Sequence, residues 1–218
     1  MAKVNTKKEK EQATEAVGLK ELQELTEVRV KFTGLTAIMF DRFVSMEGEE
    51  LPPEKKLYLR EEGKRKRVIL PSGNIMSFLA GEKKSCCAFF AKKGEGAKIR
   101  QMIWGAVAIR PDEIPFTRDG KPAYFKGFGE GTGFRIDERK AIVKKGGQLI
   151  PQPTIRPVME LPWELEFDLT LWGNDLKFRF FPEEGRTLAN WFIRGGLMVA
   201  IGNFRPHFGR FTAEFKEI

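Results

Sequence analysis

Histidine and cysteine are nearly missing from this chain of 218 residues. The single histidine is His207, and the two cysteines, Cys86 and Cys87, are neighbours. Adjacent cysteines rarely bridge, because a disulfide holds its Cα atoms farther apart than one peptide unit easily allows. One histidine beside one cysteine pair gives no zinc constellation, so neither a metal nor a cofactor is expected. Nucleophilic triads need a histidine base or an equivalent, which leaves His207 alone. No apolar run approaches the roughly 20 residues of a membrane span. The opening MAKVNTKKEKEQ lacks the apolar core of a signal peptide. The expected setting is a reducing cytoplasm, with no membrane partner.

Charge, by contrast, is plentiful. Lys and Arg number 38 against 30 Asp and Glu, a surplus of +8, and a basic surplus points to a polyanionic partner. Hydrophobic residues make up 41% of the chain, enough for one sizeable core.

Residues 1–26 are polar and rich in Lys and Glu, and are expected to form a flexible polar arm ahead of a single domain over residues 27–218. Val28, Val30 and Phe32 alternate with charged residues, predicting a half-buried first strand. A short strand is expected over Lys55 to Leu59, then a basic turn, Gly63-Lys64-Arg65-Lys66-Arg67, and a buried strand, Val68-Ile69-Leu70. Pro71-Ser72-Gly73-Asn74 opens a helix with Ser72 or Asn74 as its cap. That helix is interrupted at Gly81 and resumes from Cys86 to Phe90; Trp104 to Ile109 reads as a strand. Trp163 to Leu171 alternates almost without fault and is the clearest strand of all. A shorter strand, Leu176 to Phe181, precedes a second helix burying Leu188, Trp191, Phe192 and Leu197 and ending at Gly195-Gly196. The last strand carries Phe211, Ala213 and Phe215. This order predicts an α+β fold: a ferredoxin-like (RRM-like) antiparallel sheet with two helices and a long β-hairpin inserted at about residues 110–162.

Three segments carry the candidate chemistry. In the C-terminal run Gly195 to Phe211, Arg205 and Arg210 suit bidentate phosphate contacts. Phe204, His207 and Phe208 suit base stacking. The same run suits a tight turn before an edge strand, with Phe204 and Phe208 in the core. In the insertion, glycines at 127, 129, 131 and 133, the aromatics Phe128 and Phe134, and Arg135, Arg139, Lys140, Lys144 and Lys145 suit an arm laid along a nucleic-acid backbone. At the start of the first helix, Ser72 and Gly73 offer backbone N–H groups to an anion, with Lys64, Arg65, Lys66 and Arg67 just upstream. A simple cap and a solvated hairpin turn explain those residues equally well.

The layout resembles the RAMP superfamily of CRISPR-associated proteins, and within it the Cas7-like backbone subunits. The likeness is carried by Thr33-Gly34-Leu35 in the first strand, by Leu70-Pro71-Ser72-Gly73-Asn74-Ile75, and by Gly202, Gly209, Arg210 and Phe211 after the second helix. Arg205-Pro206 inside that loop departs from the pattern. The motif Arg205-Pro206 to Gly209-Arg210-Phe211 also resembles small proteins of phage genomes, so a phage or mobile-element relative stays open. The resemblance implies a non-catalytic protein of antiviral defence. It would bind single-stranded guide RNA under a thumb-like hairpin, oligomerise head to tail along it, and meet other effector subunits.

Single-stranded DNA is the rival partner, in phage replication or recombination. A protein partner docking on Trp163, Trp172 and Trp191 is another, as in a structural or inhibitory phage protein. A ribonuclease would have to use Asp41 or His207, and Asp41 reads more simply as a turn aspartate paired with Arg42 or a neighbour. Glu164, Glu166 and Asp168 read as a solvated strand face.

Overall fold

The computed structural model describes residues 25–42, 51–145, 147–172 and 188–218. Most of the polar arm, the expected strand at Leu176–Phe181 and the lead into the second helix lie outside the described residues.

The first strand, β1 (Leu25–Gly34), starts inside the segment assigned to the arm. It runs antiparallel between β11 (Glu164–Trp172) and β12 (Phe211–Glu217). β11 in turn pairs with β5 (Val107–Arg110) and β6 (Glu113–Arg118), which serve as one interrupted strand. The order β12-β1-β11-β6 is the fourth-first-third-second arrangement of a ferredoxin-like sheet. Beyond β6 the sheet is extended by the hairpin β3 (Leu59–Glu62) and β4 (Arg65–Pro71). The expected strand at Lys55 is instead a helical turn, Pro53–Lys56, and the chain becomes extended only at Leu59.

Three helices fill the first helical position: α1 (Ser72–Ala80), α2 (Cys86–Phe90) and α3 (Gly96–Ala106). Gly81 ends α1 as expected. Ser85 caps α2, its Oγ accepting from the Ala88 N–H at 3.2 Å. Trp104 is helical, not extended; the strand starts three residues later at Val107. The second position holds α4 (Leu188–Met198). Gly195 and Gly196 lie inside α4 rather than at its end. A Cβ on Gly195 would stand 2.4 Å from Cys86 Sγ, and one on Gly196 2.4 Å from the Phe211 carbonyl oxygen. Leu197 therefore turns outward and is exposed.

The core lies between the helices and one sheet face. Phe32 is central: its ring stacks on Phe211 at 3.9 Å and meets Phe167 edge-on at 5.1 Å. Phe78 and Phe192 close over it from α1 and α4. Each such side chain contributes about 2 kcal/mol on burial. Trp163 and Trp191 are buried in the same core, which removes them as docking aromatics; only Trp172 of the three is exposed. The opposite sheet face is charged. Lys31 pairs with Glu164 at 2.8 Å and Arg29 with Asp168 at 2.8 Å, so the alternating carboxylates of β11 face cations of β1.

Of the stretch expected as an insertion, Glu113–Arg118 belongs to the main sheet. The hairpin proper is β9 (Phe134–Lys145) and β10 (Gln148–Met159). The two short strands β7 (Lys121–Pro122) and β8 (Tyr124–Phe125) precede it. Its root is stapled to the domain by β2 (Ile38–Met39), which pairs with Val158 and Met159. Pro151, Pro153 and Pro157 all sit at odd positions of β10. The carbonyl oxygens of Ile155 and Pro157 accept from Lys56 Nζ at 2.6 Å and from the Phe40 N–H at 3.0 Å, so odd residues turn their backbone away from β9. Prolines there remove no donor from the ladder.

Candidate nucleic-acid interface

The segment from Val199 to Arg210 leaves α4 and is sewn to the 35–39 segment. Asn203 N–H donates to the Met39 carbonyl oxygen at 2.8 Å, Gly209 N–H to Ala37 at 2.8 Å, and Arg210 N–H to Thr36 Oγ1 at 3.0 Å. Gly202 (φ +81°) and Gly209 (φ +73°) must be glycine. A Cβ would lie 2.6 Å from the Met39 oxygen at the first and 1.8 Å from the Ile201 oxygen at the second.

This loop meets the hairpin root at two places. Asp41 Oδ2 accepts from Arg156 Nε of β10 at 2.8 Å and from Asn203 Nδ2 of the loop at 2.7 Å. One carboxylate thus joins three segments distant in sequence. Beside it, the Arg139 guanidinium of β9 lies 4.8 Å from the Phe204 ring centroid and 5.0 Å from that of Phe208. Arg135 lies 5.9 Å from Phe208.

The two arginines are not bare cations. Asp137, one-tenth exposed, takes hydrogen bonds from both, and Arg135 also pairs with Glu160. Hydrogen bonding from Arg139, opposed by desolvation and reinforced by Arg135, holds the Asp137 carboxyl below the usual carboxylate range. The cluster holds guanidinium groups against aromatic rings, the group types that stack on bases and pair with phosphates.

No family model matches the chain, and no curated protein is similar to it at a significant level. Solved structures share its fold, and one of them matches over the whole chain. It is a chain in the cryo-EM structure of the Type III-B Cmr-beta bound to cognate target RNA. The TM-score is 0.50 at 13% identity, covering all of this chain (100%) and 68% of that one. The likeness is one of fold alone.

The structure gathers Arg135, Arg139, Phe204 and Phe208 at one junction, with His207 and Arg210 exposed on the same loop. Phe208 is buried, as the tight-turn reading expects, while Phe204 is exposed and does not join the core. Arg205 turns inward: its Nη1 donates to the Ala200 carbonyl oxygen at 3.4 Å, and burial lowers the pKa of its guanidinium. It is not placed for a phosphate. The Ser72 N–H donates to the Asp112 carbonyl oxygen at 2.7 Å, and neither Ser72 nor Asn74 caps α1, whose cap position is Pro71. Gly73 is exposed on the first turn. The glycines 127–133 form turns rather than an arm, with Phe128 and Phe134 packed on Phe125. Lys140 is exposed on β9; Lys144 and Lys145 lie near its tip, their side chains outside those described. Lys64, Arg65, Lys66 and Arg67 sit apart, on the β3–β4 hairpin.

Arg156 and Asn203 were not legible as partners of Asp41. Arg156 sits in the proline-rich end of the expected hairpin, and no local spacing links either residue to position 41. Among the described residues no group of three or more His, Cys, Asp or Glu is placed to hold a metal ion. No described helix is long and apolar enough to cross a membrane.

Proposed function

We propose that the chain is a non-catalytic RNA-binding subunit of the Cas7-like backbone type. It lays single-stranded RNA across the junction between the β9–β10 hairpin and the 199–210 loop. The observation that carries this reading is Arg139 held over Phe204 beside that loop, in a fold shared with a chain of an RNA-bound assembly. His207 and Arg210 face the same solvent and add a stacking ring and a cation for the backbone. No strongly specific base readout follows from such contacts; sequence would be read by pairing of the bound strand with a second strand. Head-to-tail association along the RNA completes the reading.

Asp41 supports a non-catalytic role, because both of its hydrogen bonds go to groups that hold the hairpin and loop together.

The test is a fluorescence-anisotropy titration of labelled single-stranded RNA and DNA of equal sequence, each at two salt concentrations. Salt-sensitive binding that favours RNA is expected. Equal or tighter DNA binding, no binding to either, or RNA cleavage lost on Asp41→Ala would each overturn the proposal.

A further inference from the structure

The β3–β4 hairpin bounds a cleft of about 380 Å³ that the junction above does not include; Lys64, Arg65, Tyr124, Phe125 and Lys126 line it. Its features point to one kind of ligand. Arg65 lies 5.4 Å from the Tyr124 ring centroid. Tyr124 Oη donates to Glu62 Oε2 at 3.1 Å, and Arg67 Nη1 donates to the other oxygen of Glu62 at 3.3 Å. Desolvation pushes the Glu62 carboxyl up, but the bonds from Arg67 and Tyr124, with the charges of Arg67 and Arg60, together hold it below the usual carboxylate range. They also hold the Tyr124 hydroxyl at the foot of the hairpin. Phe125 braces the cleft from behind, edge-on to Phe128 at 5.0 Å and to Phe134 at 5.3 Å. Lys64, Arg65 and Lys126 remain exposed around this ring.

An aromatic ring tethered at its hydroxyl and ringed by three cations suits a nucleotide unit, with the base against the Arg65–Tyr124 pair and the phosphate between Lys64 and Lys126. The cleft and the junction share the hairpin root. Phe134 packs on the cleft's Phe125, and the next residue, Arg135, reaches Phe208 of the junction.

We propose that this cleft is a second contact for the same single strand, which passes from the 199–210 loop, beneath the hairpin root, to Tyr124. The inference rests on the RNA-binding reading above.

The test is photo-crosslinking of the full chain to single-stranded RNA carrying 4-thiouridine, with the crosslinked peptides identified by mass spectrometry. Affinities are measured in parallel for Tyr124→Ala and for the double charge reversal Lys64→Glu/Lys126→Glu. Both substituted lysines are exposed, so the reversal keeps the fold even if Tyr124→Ala does not. Crosslinks on the peptide around Tyr124, with affinity lowered about tenfold by the reversal, are expected. Crosslinks confined to the hairpin and the 199–210 loop, with affinity unchanged by the reversal, overturn the second contact and leave the proposed function standing. Failure of the unmodified chain to bind RNA at all overturns both.

Discussion

Arg156 of the hairpin donates to Asp41 at 2.8 Å, and this pair ties the inserted arm to the domain from which it springs. Both side chains are largely withdrawn from water, Arg156 to 12% exposure and Asp41 to 23%. Removing one partner leaves the other poorly solvated and uncompensated. Asp41→Asn is expected to cost about 1–3 kcal/mol and to loosen the hairpin root. The checks are a thermal melt and hydrogen exchange over residues 148–159. A double-mutant cycle with Arg156→Met separates the pair from the neighbouring Asn203 contact. Additive losses would show that the two residues act independently.

Gly209→Ala carries a different penalty. The new methyl would sit 1.8 Å from the Ile201 oxygen at a φ of +73°, so the loop has to move. A loss of at least about 2 kcal/mol is expected, read as a lowered melting temperature. Gly120→Ala is the control. Its φ is also positive, at +71°, but nothing lies within 4 Å of the added carbon, so its loss should be smaller.

Alternation made β1, β11 and β12 legible in the sequence, since each has one face on the core and one in water. The hairpin was legible as an extended basic insertion, but not its start. The glycines before Phe134 look like part of an arm and are turns that bring Phe128 and Phe134 back onto Phe125. Trp104 to Ile109 is apolar at nearly every position, and such a run does not separate a buried helix end from a strand. Gly195-Gly196 resembles a stop signal, yet is selected by the closeness of Phe78, Cys86 and Phe211, contacts set by tertiary packing alone. Asp41, Arg156 and Asn203 meet only because β2 pairs with the hairpin root.

Acid should weaken the hairpin root. The Asp137 carboxyl titrates lower in the folded chain than in the unfolded one, held down first by Arg139. Its contribution is therefore fully present above the ordinary carboxylate value of about 4. It is lost as pH falls through the folded value. Asp137→Asn should remove this part of the acid sensitivity, measured as the difference in melting temperature between the two proteins from pH 7 down to pH ~3. An unchanged difference across that range would refute it.

Cys86 should be inert in the folded protein. It is fully buried, its Sγ donates to the Trp191 carbonyl oxygen at 3.3 Å, and burial raises its pKa well above the ordinary thiol value. Thiolate is the reactive form, so alkylation by iodoacetamide should follow global unfolding. Equal labelling rates with and without denaturant would contradict the core placement. Cys86→Ser should be destabilising, because α4 packs Gly195 against this sulfur.

Arg139 and Phe204 touch, yet their substitutions should weaken RNA binding in different ways. Phe204 holds φ +56°, a conformation that glycine adopts without strain. Phe204→Gly therefore removes the ring without straining the backbone. It should lose a stacking term, about 1–3 kcal/mol per base, and leave the dependence of affinity on salt nearly unchanged. Arg139→Gln removes a cation and should flatten that dependence by about 0.7 in the log–log slope if the arginine neutralises one phosphate. It also strips Asp137 of its main donor, so part of its loss is structural. The slope isolates the electrostatic part, because a folding defect lowers affinity equally at every salt concentration. If both variants shift the slope alike, or neither lowers affinity, the junction is not where the strand lies, and the contact has to be sought elsewhere on the hairpin.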